Sequence, residues 1–150
     1  MRKKPMLAYP VNKKPIDYSK PVFVQPKLDG VRCVIQAEPD YSSSGYPITG
    51  VRVTAYSRTG KEWKNIEHIL KELIPFFEKY PNVILDGELY NHDLRDNFEK
   101  IISLVRKTKP TDEDRQEASE LTQFHCYDII DETLPFDQRI CKFNTNVIRR

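Results

Sequence analysis

The sequence predicts an α+β fold, because segments patterned like strands and segments patterned like helices follow one another along 150 residues. Residues 51–56 alternate between apolar and polar side chains, as a half-buried strand does. From Asn65 the apolar residues recur at helical spacing instead, and Asn65 and Pro81 are the predicted N-cap and stop of this helix. The two patterns together indicate a mixed domain.

The other predicted elements continue this mixture. Short apolar runs predict strands at residues 22–24, 31–35, 83–85 and 124–130. A second helix is predicted where Asp96 and Glu99 have the spacing of a capping box, and a third over residues 137–148. Residues 39–47 are predicted to form a turn or loose hairpin loop. For residues 108–121 two alternatives remain, a surface loop or a short exposed helix.

The composition favours one domain, or part of one. Hydrophobic residues make up 39% of the chain, and 24 Lys+Arg against 22 Asp+Glu give a net charge of +2. This balance does not by itself indicate nucleic acid, and a solvated tail is the simpler interpretation of the basic residues near the N-terminus. We expect residues 1–20 to form an extended, basic, proline-rich arm in front of a domain at residues 21–150.

The three cysteines have no spacing typical of a zinc site, and two of them lie in apolar runs. This pattern favours buried free thiols in a reducing compartment. No apolar run resembles a signal peptide or a membrane span. We therefore expect a cytoplasmic protein without membrane contact.

One tight turn carries the residues with the clearest chemistry. Residues 27–32 read Lys-Leu-Asp-Gly-Val-Arg and stand between two apolar, strand-like runs. A lysine amine is a nucleophile only when deprotonated, and its ordinary pKa of ~10.4 keeps it charged at neutral pH unless burial or a nearby cation lowers that pKa. Lys27 is the candidate nucleophile, with a plain surface lysine as the alternative.

Three more segments follow this turn, each beside a predicted strand. They read Ser-Arg-Thr-Gly-Lys-Glu at residues 57–62, Asp-Gly-Glu-Leu at 86–89 and Tyr-Asp-Ile at 127–129. In this order the four segments resemble the motifs of ATP-dependent DNA ligases, which belong to the covalent nucleotidyltransferase superfamily. The resemblance spans roughly residues 20–140. It implies an ATP-grasp-like nucleotidyltransferase (adenylation) domain of antiparallel sheets with flanking helices.

The resemblance also implies roles for the matched residues. Lys27 would attack the α-phosphate of ATP, release pyrophosphate and hold AMP as a phosphoramide. Arg32 and Arg58 would bind phosphates and ribose through their guanidinium forks, with an exposed hairpin-turn arginine as the alternative for Arg58. Glu88 would accept a hydrogen bond from a ribose hydroxyl or help to hold a metal ion, because a carboxylate after an apolar strand is costly to bury alone. The expected metal is Mg²⁺ bound through the substrate, without an all-protein cage.

Three of the other four matched residues keep two interpretations each. Gln25 would lie where the family binds the adenine edge, or be an ordinary strand glutamine. Tyr127 would stack on the purine, or be a core aromatic. Asp29 would orient Lys27, or contact the nick in the DNA together with Arg32. Asp128 would cap local backbone.

The sequence departs from the family pattern after Tyr127. A second acidic motif, a lysine pair that grips the α-phosphate and an OB-fold domain are expected there, and none is found in the 150 residues. We therefore expect the N-terminal part of an adenylation domain that self-adenylates poorly alone and has an exposed sheet edge. A shortened version of a longer chain, one half of a split enzyme completed by a second chain, and a gene remnant are all open explanations. A compact phage enzyme fits the pattern.

Several functions compete at this point. The leading one is an adenylation domain that acts on nicked duplex DNA, and an RNA ligase or mRNA guanylyltransferase would share the lysine turn. An NAD-dependent ligase ranks low, because its glycine-rich acidic stretch is not found. A different class of protein, an inactive nucleic-acid-binding or assembly module, would bind DNA in a salt-dependent way without forming covalent AMP.

Overall fold

The structure is a computed structural model, and it describes residues 3–41 and 47–146. Its strands are β1 (Val31–Tyr41), β2 (Pro47–Tyr56), β3 (Ile84–Tyr90) and β4 (Gln123–Ile129). Its helices are α1 (Glu67–Lys79), α2 (Phe98–Val105), α3 (Asp112–Leu121) and α4 (Phe136–Asn146), with a short 3₁₀ turn at His92–Leu94. The strands form one antiparallel sheet in the order β2-β1-β3-β4. The predicted α+β class is confirmed.

The two faces of the sheet differ in chemistry. Successive side chains of a strand point to opposite faces. Cys33 and Ile35 of β1 and Leu85 of β3 belong to the hydrophobic core, which α1 and α2 cover. The intervening residues, among them Arg32 and Asp86, lie on the other face. One face of the sheet therefore holds the fold together, and the other presents charged groups.

The sequence Asp-Gly-Glu-Leu lies inside β3, although the prediction placed it after the strand. β3 is a central strand whose ladders with β1 and β4 both continue as far as Leu89. At Gly87 an added Cβ would lie 2.4 Å from the carbonyl oxygen of His125, so only glycine fits between these strands. Glu88 therefore has a rigid position in the sheet.

The strand predicted at residues 22–24 is wrong. Val24 is 87% exposed, and within the described chain the segment pairs with no strand. Phe23 instead packs its ring edge-on against Phe136 of α4, with 5.3 Å between the ring centroids. Apolar, β-branched residues form strands only where a neighbouring strand supplies a ladder and a surface to cover. Residues 21–29 form an irregular, exposed lead into the lysine turn.

The predicted helix N-cap at Asn65 is wrong. The N-cap of α1 is Ile66, and Asn65 is fully buried. Its amide nitrogen donates to the carbonyl oxygens of Leu104 and Asp114, both at 3.1 Å. Asn65 therefore ties the start of α1 to α2 and α3, a tertiary role that the local sequence does not show.

The predicted capping box at Asp96 and Glu99 is also wrong. The N-cap of α2 is Asn97, which makes no side-chain cap bond. A capping box instead begins α3, where Thr111 and Asp114 bond each other's backbone N–H groups. For residues 108–121 the short exposed helix is the confirmed alternative.

Part of the loop predicted at residues 39–47 is strand instead. Residues 39–41 and 47 belong to the strands, and residues 42–46 lie outside the described part of the chain. The stop of α1 before Pro81 is confirmed, since that helix ends at Lys79. Among the described helices, none is both long and apolar enough to cross a bilayer.

Candidate active site

A β-bulge places Tyr127 at the centre of the charged face. In the β3–β4 ladder Asp86 pairs with Asp128 and Gly87 pairs with Cys126, so Tyr127 is the extra residue. Its ring lies against the guanidinium of Arg32, 5.3 Å from the ring centroid, and its hydroxyl donates to Glu88 at 3.3 Å. The amide nitrogen of Gln25 donates to the Tyr127 carbonyl oxygen at 2.9 Å. The fold thus brings four of the predicted site residues into direct contact.

Arg32 is held by a carboxylate that the prediction did not select. Its Nε and Nη2 donate to the two oxygens of Asp86 at 2.7 and 2.6 Å, and Nη2 also donates to the Met6 carbonyl oxygen. The Asp86 side chain is only 4% exposed. Burial raises the pKa of Asp86, although the Arg32 guanidinium opposes this shift. A carboxylate that follows an apolar run is costly to bury without a partner. This argument applies more directly to Asp86 than to Glu88.

A second ion pair supports the bulge. Arg139 of α4 donates through Nε and Nη2 to the two oxygens of Asp128, both at 2.9 Å. Asp128 also accepts from the backbone N–H of Ile129, so the expected local capping role accompanies the ion pair. Arg139 is 7% exposed, and its partner is eleven residues away in the sequence. No local pattern pointed to Arg139.

Lys27 lies on an exposed turn and is protonated in this arrangement. Its side chain is 88% exposed, and its Nζ donates to Asp29 at 2.5 Å. The hydrogen bond to Asp29 and the charge of this carboxylate, followed by the charge of Glu88, raise the pKa of Lys27. A nucleophilic amine needs the opposite shift. Lys27 must leave Asp29 and lose its proton before it can react.

The lysine turn rests directly on β3 through Gly30. An added Cβ at Gly30 would lie 2.3 Å from the Leu89 carbonyl oxygen and 2.8 Å from the Cγ of Glu88. Burial raises the pKa of the Glu88 carboxylate, although the hydrogen bond from Tyr127 and the charge of Arg32 oppose this shift. Close contact at Gly30 therefore fixes the position of the turn relative to Glu88.

We expect Gly30→Ala to lower the free energy of unfolding by about 1–3 kcal/mol, because the turn must move off the β3 backbone to admit the methyl group. Urea unfolding followed by circular dichroism measures the change. Thr108→Ala is the control, since Thr108 is exposed in a loop. Equal unfolding free energies for the two variants would show that the turn does not depend on this contact.

Two neighbouring clefts flank Glu88 and Gly30. The first, about 490 Å³, is lined by Lys27, Asp29, Arg95 and Phe98 besides these two residues. The second, about 640 Å³, is lined on its polar side by Arg32, Arg58, Lys61 and Arg106. The Arg58 side chain makes no hydrogen bond or ion pair with the other predicted residues, but it shares the second cleft with Arg32 and Glu88. Glu88 therefore lies between the lysine turn and the four cationic side chains of the second cleft, which we call the basic wall.

The sequence model of the ATP dependent DNA ligase domain matches residues 5–147, a range that includes every residue described in this site. The chain belongs to this family. A comparison with curated proteins gives no match.

The ligase family identification agrees with the motif resemblance, and the geometry adds three residues to it. Asp86 fixes Arg32, Arg139 fixes Asp128, and Arg106 adds a cation from a helix that no motif covers. In residues 3–41 and 47–146 no group of three or more His, Cys, Asp or Glu side chains is arranged to hold a metal ion. Glu88 is the carboxylate that borders both clefts.

Proposed function

We propose that this ligase-family chain is an adenylation domain with an ATP-grasp-like nucleotidyltransferase fold, which forms lysyl-AMP at Lys27 and passes AMP to the 5′-phosphate of nicked duplex DNA. The observation that carries the proposal is the placement of the Lys27 turn against Glu88, which in turn accepts a hydrogen bond from Tyr127. The proposed nucleophile Lys27, the proposed ribose-binding carboxylate of Glu88 and the aromatic ring of Tyr127 are thus neighbours in one site.

The first step begins when the deprotonated Nζ of Lys27 attacks the α-phosphorus of ATP. A P–N bond forms, the bond to the bridging oxygen breaks, and pyrophosphate leaves with the electron pair. In the second step an oxygen of the DNA 5′-phosphate attacks the same phosphorus, and Lys27 leaves and takes up a proton. The 3′-hydroxyl then displaces AMP and closes the strand.

The other side chains would orient the nucleotide. Tyr127 would stack on the purine with the ring face opposite its contact with Arg32. Glu88 would accept from the ribose, replacing its present bond from Tyr127. Gln25 would border the adenine edge, and its hydrogen bond to the Tyr127 carbonyl oxygen would help to hold Tyr127 in position. Arg32 and Arg58 would bind phosphates.

Magnesium would enter with the triphosphate. The divalent ion neutralises charge on the departing pyrophosphate, and oxygen ligands from phosphates and water suit Mg²⁺. Glu88 is the protein group that we propose as a ligand, since it lies at the border of the Lys27 cleft.

Labelling with α-labelled ATP tests the proposal. We expect a weak covalent label on the wild-type chain that requires Mg²⁺, survives a denaturing gel and is lost in acid, as a phosphoramide is. Unlabelled ATP should compete and GTP should not, whereas labelling by GTP would favour the guanylyltransferase alternative. Absence of any label, with DNA binding retained, would favour the inactive binding module.

We expect Asp29→Asn to shift the pH dependence of labelling to lower pH. The Asp29 carboxylate is the main cause of the raised pKa of Lys27, so its removal lets the amine lose its proton at lower pH. Initial labelling rates over a pH series measure the shift. Asp17→Asn is the matched control, because Asp17 is an exposed carboxylate of the arm that pairs with Lys20. If the labelling rate of Asp29→Asn rises over the same pH range as that of the wild type, Asp29 does not set the protonation of Lys27.

A further inference from the structure

A histidine holds an arginine at the edge of the Lys27 cleft. His92 begins the 3₁₀ turn after β3, and Nη1 of Arg95 donates to His92 Nε2 at 3.2 Å. A guanidinium has donors and no acceptor, so His92 Nε2 must accept this hydrogen bond. The neutral imidazole then carries its proton on Nδ1, which donates to the Tyr90 hydroxyl oxygen at 3.1 Å. The bond from Arg95 thus fixes the tautomer of His92.

The groups around His92 are fixed by the fold. Tyr90 is buried at the end of β3, and its ring packs edge-on against His125 of β4, with 5.3 Å between the ring centroids. Asn91 is also buried, and its side chain caps the start of the 3₁₀ turn. The backbone that leads to Arg95 and the acceptor that holds its guanidinium therefore both have defined positions.

The Lys27 cleft has more negative than positive charge. Among its described lining residues the cations are Lys27 and Arg95, and the carboxylates are those of Asp29, Glu88 and Asp96. Lys27 must lose its proton before it can attack, and Arg95 is then the remaining cation. A phosphate that enters beside three carboxylates is repelled unless a cation lies close to it.

The chemistry at Lys27 defines where one phosphate must lie. A phosphoramide places the α-phosphorus one bond from Lys27 Nζ, so the α-phosphate belongs in the cleft that Lys27 lines. The leaving pyrophosphate lies opposite the attacking amine in an in-line displacement. Because Glu88 borders both clefts, a nucleotide with its ribose at Glu88 could extend the pyrophosphate toward Arg32 and Arg58. Arg95 is then the arginine nearest in the fold to the α-phosphate side.

We propose that Arg95 binds the α-phosphate that Lys27 attacks, and that His92 positions Arg95 for this contact. The proposal deepens the function proposed above and rests on it. A guanidinium has five N–H donors, so the bond to His92 leaves others for phosphate oxygens. The ion pair of Arg95 with Asp96 is long, at 3.8 Å, and both side chains are exposed. Such a pair is weak and competes little with a phosphate.

Titration of the isotope-labelled chain with AMP and with adenosine, followed by NMR, tests the phosphate contact without any covalent step. Arg95→Gln should bind AMP about tenfold more weakly than the wild type, because a charged hydrogen bond is lost, and should bind adenosine equally well. Arg52→Gln is the matched control. The Arg52 side chain is 57% exposed against 59% for Arg95, it also pairs with a carboxylate at 3.8 Å, and it lies outside both clefts. This control should bind both ligands like the wild type.

Two variants of His92 separate a positioning role from a merely structural one. His92→Leu removes the acceptor for Arg95, and AMP binding should weaken about three- to fivefold with adenosine binding unchanged. His92→Gln keeps an oxygen that can accept from Arg95, so AMP binding should stay within about twofold of the wild type. The dispersion of the NMR spectra shows whether each variant is folded.

Three results would overturn the assignment of Arg95. They are no binding of AMP by the wild type, AMP binding by Arg95→Gln equal to that of Arg52→Gln, and equal losses of AMP and adenosine binding in Arg95→Gln. Equal weakening in His92→Leu and His92→Gln would overturn the role of His92. Failure of the proposed function looks different, because ATP would then give no Lys27-dependent label while the AMP titrations still separated Arg95→Gln from its control.

Discussion

Lys27→Ala is expected to abolish covalent labelling by ATP, with a loss of at least about 1,000-fold. The alanine variant has no amine at the turn, and the other cation that lines this cleft is Arg95. A guanidinium stays protonated and is not a nucleophile at neutral pH. Lys27→Arg should therefore fail as completely as Lys27→Ala, although it keeps the charge. A denaturing gel after incubation with α-labelled ATP measures both.

Lys20→Ala is the matched control for the Lys27 variants. Lys20 is an exposed lysine at the end of the N-terminal arm, and like Lys27 it pairs with a nearby aspartate, here Asp17. This control should label like the wild type. Because both Lys27 and Asp29 are exposed, the Lys27 variants should also unfold like the wild type. Label on Lys27→Ala, mapped to another lysine by peptide mass spectrometry, would refute the assignment of the nucleophile.

Arg32→Gln is expected to cost about 3 kcal/mol of unfolding free energy at neutral pH. The substitution leaves the Asp86 carboxylate nearly buried without its two charged hydrogen bonds, and it removes the cation that contacts the Tyr127 ring. Breaking one side of a buried pair costs more than removing both sides. The double variant Arg32→Met with Asp86→Leu should therefore recover much of the loss. Chemical denaturation measures each variant, and Arg95→Gln, at an exposed arginine, is the control.

The loss of unfolding free energy in Arg32→Gln should depend on pH, and the pKa of Asp86 gives the direction. Burial raises the pKa of Asp86 in the folded protein above its unfolded value, so the folded state takes up the proton first as the pH falls. The cost of burying the charged form is complete above the folded pKa, declines as the pH falls below it, and is gone below the unfolded pKa. Loss of Arg32 raises that pKa further. The deficit of Arg32→Gln should thus be largest at neutral pH and smaller in mildly acidic buffer, and a deficit independent of pH would contradict this account.

Part of the site could be predicted from the sequence, because its residues belong to short local motifs. Lys27 and Gly30 share one turn, while Glu88 and Tyr127 each belong to a segment of the ligase resemblance. The structure brings these segments together, and the family match covers all of them. Asp86 was within reach as well, because its position after Ile84 and Leu85 predicts a buried carboxylate that needs a partner.

The roles of other residues could not be predicted from the sequence alone. Arg139 and Asn65 act through partners that lie eleven and about forty residues away, and side-chain bonds over such distances leave no local signal. Arg106 enters the basic wall only because α2 ends beside the turn after β2. The strand expected at residues 22–24 failed for the same reason, since a strand exists only where a second one pairs with it.

The sequence by itself determined the α+β class, the strand after the lysine turn, the amphipathic helices and the family, because each depends on periodicity or on contiguous residues. Only the tertiary structure decided that Arg32 binds Asp86, that a bulge turns Tyr127 toward Glu88, and that Lys27 rests protonated against Asp29. Register, burial and charge separation fix these contacts, and they arise when distant segments pack together. The chemistry at Lys27 therefore follows from a local motif, whereas its protonation and its neighbours follow from the fold.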